Sequence, residues 1–299
     1  MPDASLLWAI AAGAAAVAAA ASGWGVFAVR GSTAVPAAAW AAAAASALAT
    51  EMAVRAAGGL ADPAAAQAAR LGVAALGVCP AMALLGAKRP QHGVWQFIVA
   101  TLACVVALPA VVAVLVRPGT APDIGWLWWS FLALLVAVGW MNFAGTRPAA
   151  AATLVAAGQF GLLRGLLESA AVATPGQGAA IDAAASVAIA AGAGLAAFRG
   201  VGSLPRSRSP GTLGREVDAP FLALRDTLGA AWALRIAERF DAIATARGWP
   251  CRLRFGGLDC GGDPADGAWH RDAVRAFRSL ARRFATPDWL RRHGGGGVW

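Results

Sequence analysis

The residues with the means to do chemistry inside an apolar chain gather on one helical face. At 100° per residue, Ala157, Gly158, Gly161, Arg164, Gly165 and Glu168 fall within about 60° of one line on a helix. Gly161 and Gly165 have the GxxxG spacing that lets a second helix approach closely. Arg164 and Glu168 stand at i, i+4 and can pair. Charge inside a membrane is costly, so such a face reads as an ion or proton path. The plainer reading is a tight helix contact capped by a salt bridge. Glu51 and Arg55 repeat the i, i+4 pairing near the end of another apolar run, where a surface salt bridge suffices.

A second candidate is the loop Gly86-Ala87-Lys88-Arg89-Pro90-Gln91-His92, with Trp95 and Gln96 just beyond it. Lys88, Arg89, Gln91 and His92 could hold a phosphate or lipid headgroup; the simpler alternative is a positive-inside anchor. Pro80 and Pro109 interrupt apolar runs and free the carbonyls of Leu76 and Val105, which could line a cavity or merely kink a helix. His92, His270 and His293 lie outside the apolar runs, and Cys79, Cys104, Cys251 and Cys260 form no CxxC pair. Cys251, Cys260 and His270 lack a standard zinc spacing. The chain carries no P-loop, HExxH, GxSxG or Rossmann glycine pattern. The expectation is therefore no catalytic residue, no metal site and no cofactor, with enzyme activity left open but not favoured.

The elements that must position these residues read as membrane helices. Of 299 residues, 59% are hydrophobic and only 14% charged, and the mean hydropathy is +0.59. Charges sit in short gaps between long apolar runs, which excludes an ordinary soluble protein. Spans are predicted at Leu6–Val29, Ala34–Thr50, Leu71–Ala87, Val94–Val116, Ile124–Ala144, Ala149–Ala173 and Ala179–Phe198. The second is nearly all alanine and short, so six spans is the alternative count. The acid-bearing start and long first run do not suit a signal peptide. With seven spans and the N-terminus outside, Arg30, Lys88, Arg89, Arg147 and the basic tail share the inner side. Trp126, with Trp128 and Trp129 beside it, lies roughly 21 Å along a helix from Trp140, which suits two interfacial belts.

Charge is unevenly placed. Residues 1–198 hold eight basic and six acidic residues, and the tail from Arg199 holds seventeen and ten. Attraction to anionic headgroups or to a cytoplasmic protein partner follows, and the interleaving of acids disfavours nucleic acid. The domain reading is a transmembrane bundle over 1–198, a flexible basic linker over 199–215, a small cytoplasmic α+β domain over 216–293 and a disordered end over 294–299. In the tail, Asp218 and Pro220 start a long helix striped by Phe221, Leu224, Leu228, Trp232, Ile236, Phe240 and Ile243, ending at Gly248. A strand at 251–255, a Gly256-Gly257 turn and a basic helix at Trp269–Phe284 follow. The fold class is thus mainly α: a polytopic helical membrane bundle with a small C-terminal α+β soluble domain.

GAKRPQ at Gly86–Gln91, WQFIV at Trp95–Val99, ALPA at Ala107–Ala110, ALRIAERF at Ala233–Phe240 and GWPCRL at Gly248–Leu253 resemble a group of uncharacterised bacterial multi-pass membrane proteins. The resemblance brings no activity, substrate or catalytic residue. It implies that the Lys88 loop and the tail belong to one functional unit. The reading is an integral protein of the bacterial inner (plasma) membrane, not catalytic, with a cytoplasmic tail that binds a partner or the inner leaflet. The alternatives are a small-solute or ion transporter using the Gly161/Arg164/Glu168 face, and an enzyme on lipid-linked substrate near the Lys88 loop.

Overall fold

The computed structural model of the chain describes residues 3–88, 92–167, 175–202, 213–260 and 269–293. Seven helices occupy the first two thirds: α1 (Ala4–Ala28), α2 (Val35–Ala56), α3 (Pro63–Leu85), α4 (His92–Leu115), α5 (Trp126–Met141), α6 (Ala149–Arg164) and α7 (Pro175–Gly202). Five of them, all but α5 and α6, are long and apolar enough to cross a membrane. The alanine-rich second run forms a full 22-residue helix, longer than the hydropathy suggested. Alanine is weakly apolar but the best helix former, and Pro36 fits its first turn. The third run starts earlier than expected because Asp62 caps Ala64 and Ala65 and Pro63 opens the helix. Conversely, α5 and α6 are only 16 residues each, about 24 Å, against the longer spans expected there.

The helices close into a ring. α1 packs between α2 and α7, α2 packs on α3, α6 packs on α7, and α3 meets α5 and α6; α4 lies outside against α3. Between apolar helices in lipid, close backbone approach replaces the hydrophobic effect as the source of cohesion. Ala11, Ala15 and Ala18 form a fully buried small-residue stripe on α1. Between α6 and α7, a Cβ at Gly158 would lie 2.6 Å from the Ala185 carbonyl, and one at Gly192 would lie 2.8 Å from that of Ala151. The glycine-rich face of the sixth run is thus used for tight helix packing.

The tail folds as a π-helical turn (Gly214–Asp218), α8 (Ala219–Leu228), α9 (Ala230–Ala246), the antiparallel hairpin β1 (Cys251–Arg254) and β2 (Gly257–Cys260), α10 (Trp269–Ala281) and α11 (Pro287–His293). Asp218 accepts from Leu258 N–H, and Asp241 from Leu253 N–H, which ties the hairpin to the helices. The single long helix expected from the apolar stripe is broken at Gly229, whose φ is +83°. The break is made by Asn142, at the end of α5. Its side chain accepts from Ala231 N–H and donates to the Leu228 carbonyl, while its own carbonyl accepts from Ala230 N–H. One residue therefore caps the end of α8 and the start of α9, and it sits where a Cβ on residue 229 would have to be.

The tail is not a separate body. Phe221, Phe240, Phe277 and Trp289 share one continuous buried core with Ala83, Leu84 and Val99 of α3 and α4. Trp232 donates to the Leu84 carbonyl at 2.6 Å, Thr33 N–H to Phe284, and Thr286 N–H to Gly31. The apolar stripe thus covers the chain's own helical bundle, a surface the sequence left undecided. The loops after α1, α3 and α5 all meet the tail, at one end of the bundle. The linker at 203–212 and the end at 294–299 lie outside the described residues. Asn142→Ala should lower stability by about 1–3 kcal/mol, because it strands helix-end groups in a buried seam. Thermal unfolding of the full chain and protease cleavage at the tail would read this out, and an unchanged Tm would refute the seam's importance.

Candidate functional site

The most concentrated polar chemistry lies at the end of the bundle away from the tail. Arg70 is in the second turn of α3 and nine-tenths or more buried, between Glu51 on α2 and Asp182 on α7. Its Nε donates to both Glu51 oxygens at 2.9 and 3.1 Å, and Nη2 lies 2.9 Å from Oε1. Nη1 and Nη2 grip the two Asp182 oxygens at 2.7 and 2.9 Å, a bidentate fork. Arg55 closes the group, donating to Glu51 at 3.0 Å and to the Ala66 carbonyl, with its guanidinium over Trp8. Two acids and two arginines cancel, and both oxygens of each acid are engaged. Such a network can clamp three helices. Ser186, one turn further along α7 from Asp182, is fully buried and its hydroxyl has no hydrogen-bond partner.

The sequence did not single out Arg70 or Asp182. Arg70 falls just before the predicted span Leu71–Ala87, and Asp182 stands alone in the apolar run Ala179–Phe198. The available signal was that each is an ionisable residue in a segment otherwise made of alanine and leucine, which calls for an opposite charge nearby.

Between this network and the tail lies a partly open cavity of about 1350 Å³, lined by α1, α2, α3, α5, α6, α7 and the tail. Its ionisable lining residues are Arg147, Asp226 and His293, all at the tail end. Arg147 Nε is 3.7 Å from Asp226, which Arg225 also holds. His293 stacks on Trp289 at 4.0 Å; burial and the nearby Arg292 charge hold its imidazole below the usual range, against the opposing bond to the Trp289 carbonyl, so it is neutral at pH 7.

The sequence candidates are distributed as follows. Gly161 packs beside Ala185, and a Cβ at Gly165 would lie 3.6 Å from Arg70 Nη1, so the α6 face borders the ion network without joining it. Arg164 is exposed, and its expected partner Glu168 lies outside the described residues. In the second candidate, Lys88 is half-buried and Ala87 is buried in the core shared with the tail. Arg89 and Gln91 lie outside the described residues, and His92 is the first residue of α4. The two tryptophan and glutamine neighbours are structural: Trp95 donates to the Met82 carbonyl and Gln96 accepts from Trp40. Side chains also bond carbonyls next to the proline breaks. Gln159 donates to Gly77 and Trp128 to Val106, each one residue from the carbonyl its proline frees.

In the tail, the hairpin register sets Cys251 directly opposite Cys260, a pairing the spacing did not suggest. Burial pushes the Cys251 thiol up to about 12 and raises Cys260 as well, so both are protonated packing groups at neutral pH. Among the described residues there is no cluster of three His, Cys, Asp or Glu side chains that could hold a metal. Comparison with protein-family models, curated proteins and solved structures gives no significant match.

Arg70→Met should destabilise the chain by about 3–5 kcal/mol, since Asp182 loses its guanidinium partner and Glu51 is left with Arg55 only. Adding Glu51→Gln and Asp182→Asn should recover most of that loss. Thermal unfolding in detergent decides it; equal Tm values for wild type and Arg70→Met would rule out the clamp. Ser186→Ala should leave Tm unchanged or raise it, because it removes an unsatisfied buried hydroxyl; a large fall would mean the hydroxyl has a partner.

Proposed function

We propose that the chain is a multi-pass integral protein of the inner (plasma) membrane, without catalysis of its own, whose C-terminal domain is held at the cytoplasmic face and presents arginines to anionic headgroups. One contact carries this reading. Arg292 Nη2 donates to the Arg30 carbonyl at 2.9 Å, and the Arg30 guanidinium lies over Phe27 at the exposed end of α1. Trp24 and Phe27 are more than half exposed, as lipid-facing aromatics near an interface are. Arg30, Arg291 and Arg292 therefore gather where an apolar helix surface gives way to the polar domain. The exposed row Phe97, Ile98, Val105, Leu108 and Val111 on α4 supports a hydrocarbon surrounding for the bundle. Further exposed arginines on the tail, among them Arg235, Arg239, Arg271, Arg275 and Arg282, extend the basic surface.

The tail's docking to its own bundle weighs against a role as a free adaptor for another protein. The transport reading relied on Arg164 with Glu168. Of the described residues on that face, Gly158 and Gly161 pack against α7, while Arg164 is exposed.

The full chain, reconstituted with mixed phosphatidylcholine and phosphatidylglycerol and released into native mass spectrometry, should retain phosphatidylglycerol preferentially. Arg30→Gln, Arg291→Gln and Arg292→Gln together should abolish that preference. Equal retention of both lipids by the wild type would overturn the reading, as would a C-terminal reporter found on the outer face.

A further inference from the structure

We infer that Cys251 and Cys260 form a redox-responsive pair, which a small disulfide oxidant converts into a cross-strand disulfide that clamps the open end of the tail hairpin. The first argument is register. β1 and β2 are joined by Phe255 and Gly256, and Cys251 stands opposite Cys260. Leu253 N–H donates to Asp241 on α9 at 2.6 Å, and Leu258 N–H donates to Asp218 at 2.8 Å. Both amides point off the ladder, so Leu253 and Leu258 are a non-hydrogen-bonded pair. Antiparallel pairs alternate, and the pair two residues along, Cys251 with Cys260, is therefore of the same kind. Partners of this kind stand about 4.5 Å apart at Cα, with their side chains at closest approach. That lies within the Cα separations of roughly 4.4–6.8 Å that a disulfide spans.

Side-chain direction agrees. Cys251, Leu253 and Leu258 are buried in the tail core and Cys260 packs against it, so both cysteines share the inner face of the hairpin. The two thiols lie within hydrogen-bond reach of each other. The other two cysteines lack this arrangement. The Cys79 thiol donates to the Ala75 carbonyl of its own helix, and Cys104 is exposed on α4.

Exposure sets the order of steps. Cys260 is half-buried, whereas Cys251 is 1% exposed. The Cys260 thiol loses its proton to solvent, and its sulfur attacks one sulfur of a small disulfide such as glutathione disulfide. That S–S bond breaks, the leaving thiolate takes up a proton, and Cys260 carries a mixed disulfide. Cys251 then gives up its proton and attacks the Cys260 sulfur. The Cys251–Cys260 bond forms, and the second thiolate leaves and is protonated. Two cysteine thiols are oxidised by two electrons, and one disulfide is reduced to two thiols. The oxidant never has to reach the buried sulfur. Burial that keeps both thiols protonated slows the first attack, but it also favours the uncharged disulfide over a thiolate, so the finished bond resists reversal. A two-stranded hairpin is marginal by itself, and this bond closes the end away from its turn.

The test uses the full chain in detergent, incubated with excess glutathione disulfide, then alkylated and digested with trypsin. Cleavage after Arg252 and Arg254 puts the two cysteines on separate peptides, residues 248–252 and 255–271. The wild type should yield these two peptides joined, and dithiothreitol should part them. Hydrogen exchange at the β1 and β2 amides should slow at least about tenfold in the oxidised chain. Cys260→Ser should block the bond and make hairpin exchange indifferent to the oxidant. Should that variant fail to fold, the wild-type peptide map and exchange rates still decide. Four free thiols, a glutathione adduct on Cys260 without the joined peptides, a Cys79–Cys104 bond in its place, or equal hairpin exchange in both redox states each overturns the inference. Neither cysteine belongs to the arginine seam at Arg291 and Arg292, so failure of the headgroup test would leave this outcome unaffected.

Discussion

Arg70 is the cross-tie on which the bundle's geometry depends. Its guanidinium connects α2, α3 and α7, helices that are not all neighbours in the ring. Burying one unpaired charge in an apolar medium costs several kcal/mol, so a lone arginine at this depth would be expelled or would unfold its surroundings. Two carboxylates placed on opposite sides reverse the balance, and the planar fork of arginine serves both at once. Lysine, a single point charge, could not make the same bidentate grip. The network thus imposes register on three alanine-rich helices whose smooth surfaces would otherwise allow sliding.

The opposite end is held by different means. There the polar groups are backbone carbonyls and amides at helix ends, and the side chains of Asn142 and Trp232 satisfy them. Each bond joins the tail to the bundle, and each lies beside an aromatic core formed by Trp232, Phe284, Phe240 and Phe277. Burial of each such ring stabilises by about 1.5–3 kcal/mol, so hydrophobic packing supplies the energy and the hydrogen bonds fix the geometry.

Between two pinned ends, the middle of the ring is free to be wide. Small side chains bring α1 against α2 and α7, yet the same small side chains leave space where the helices diverge. The cavity is the result of tight closure at the perimeter combined with alanine walls inside. Its polarity follows from the same division, since every ionisable group in its lining comes from the tail seam.

The sequence by itself determined the helical elements of the bundle and their order along the chain. These follow from a local quantity, the length of each apolar run. It also indicated that the glycine face of the sixth run would be a packing surface. Only the tertiary structure decided what the lone charges were for. Glu51, Arg70 and Asp182 are 19 and 112 residues apart in pairs, and no local pattern links them. The same holds for Gly229, where a stripe that reads as one helix is cut by Asn142 from 87 positions earlier. Helix formation is written in neighbouring residues, whereas a buried charge or a helix end is satisfied by whichever group the fold brings beside it.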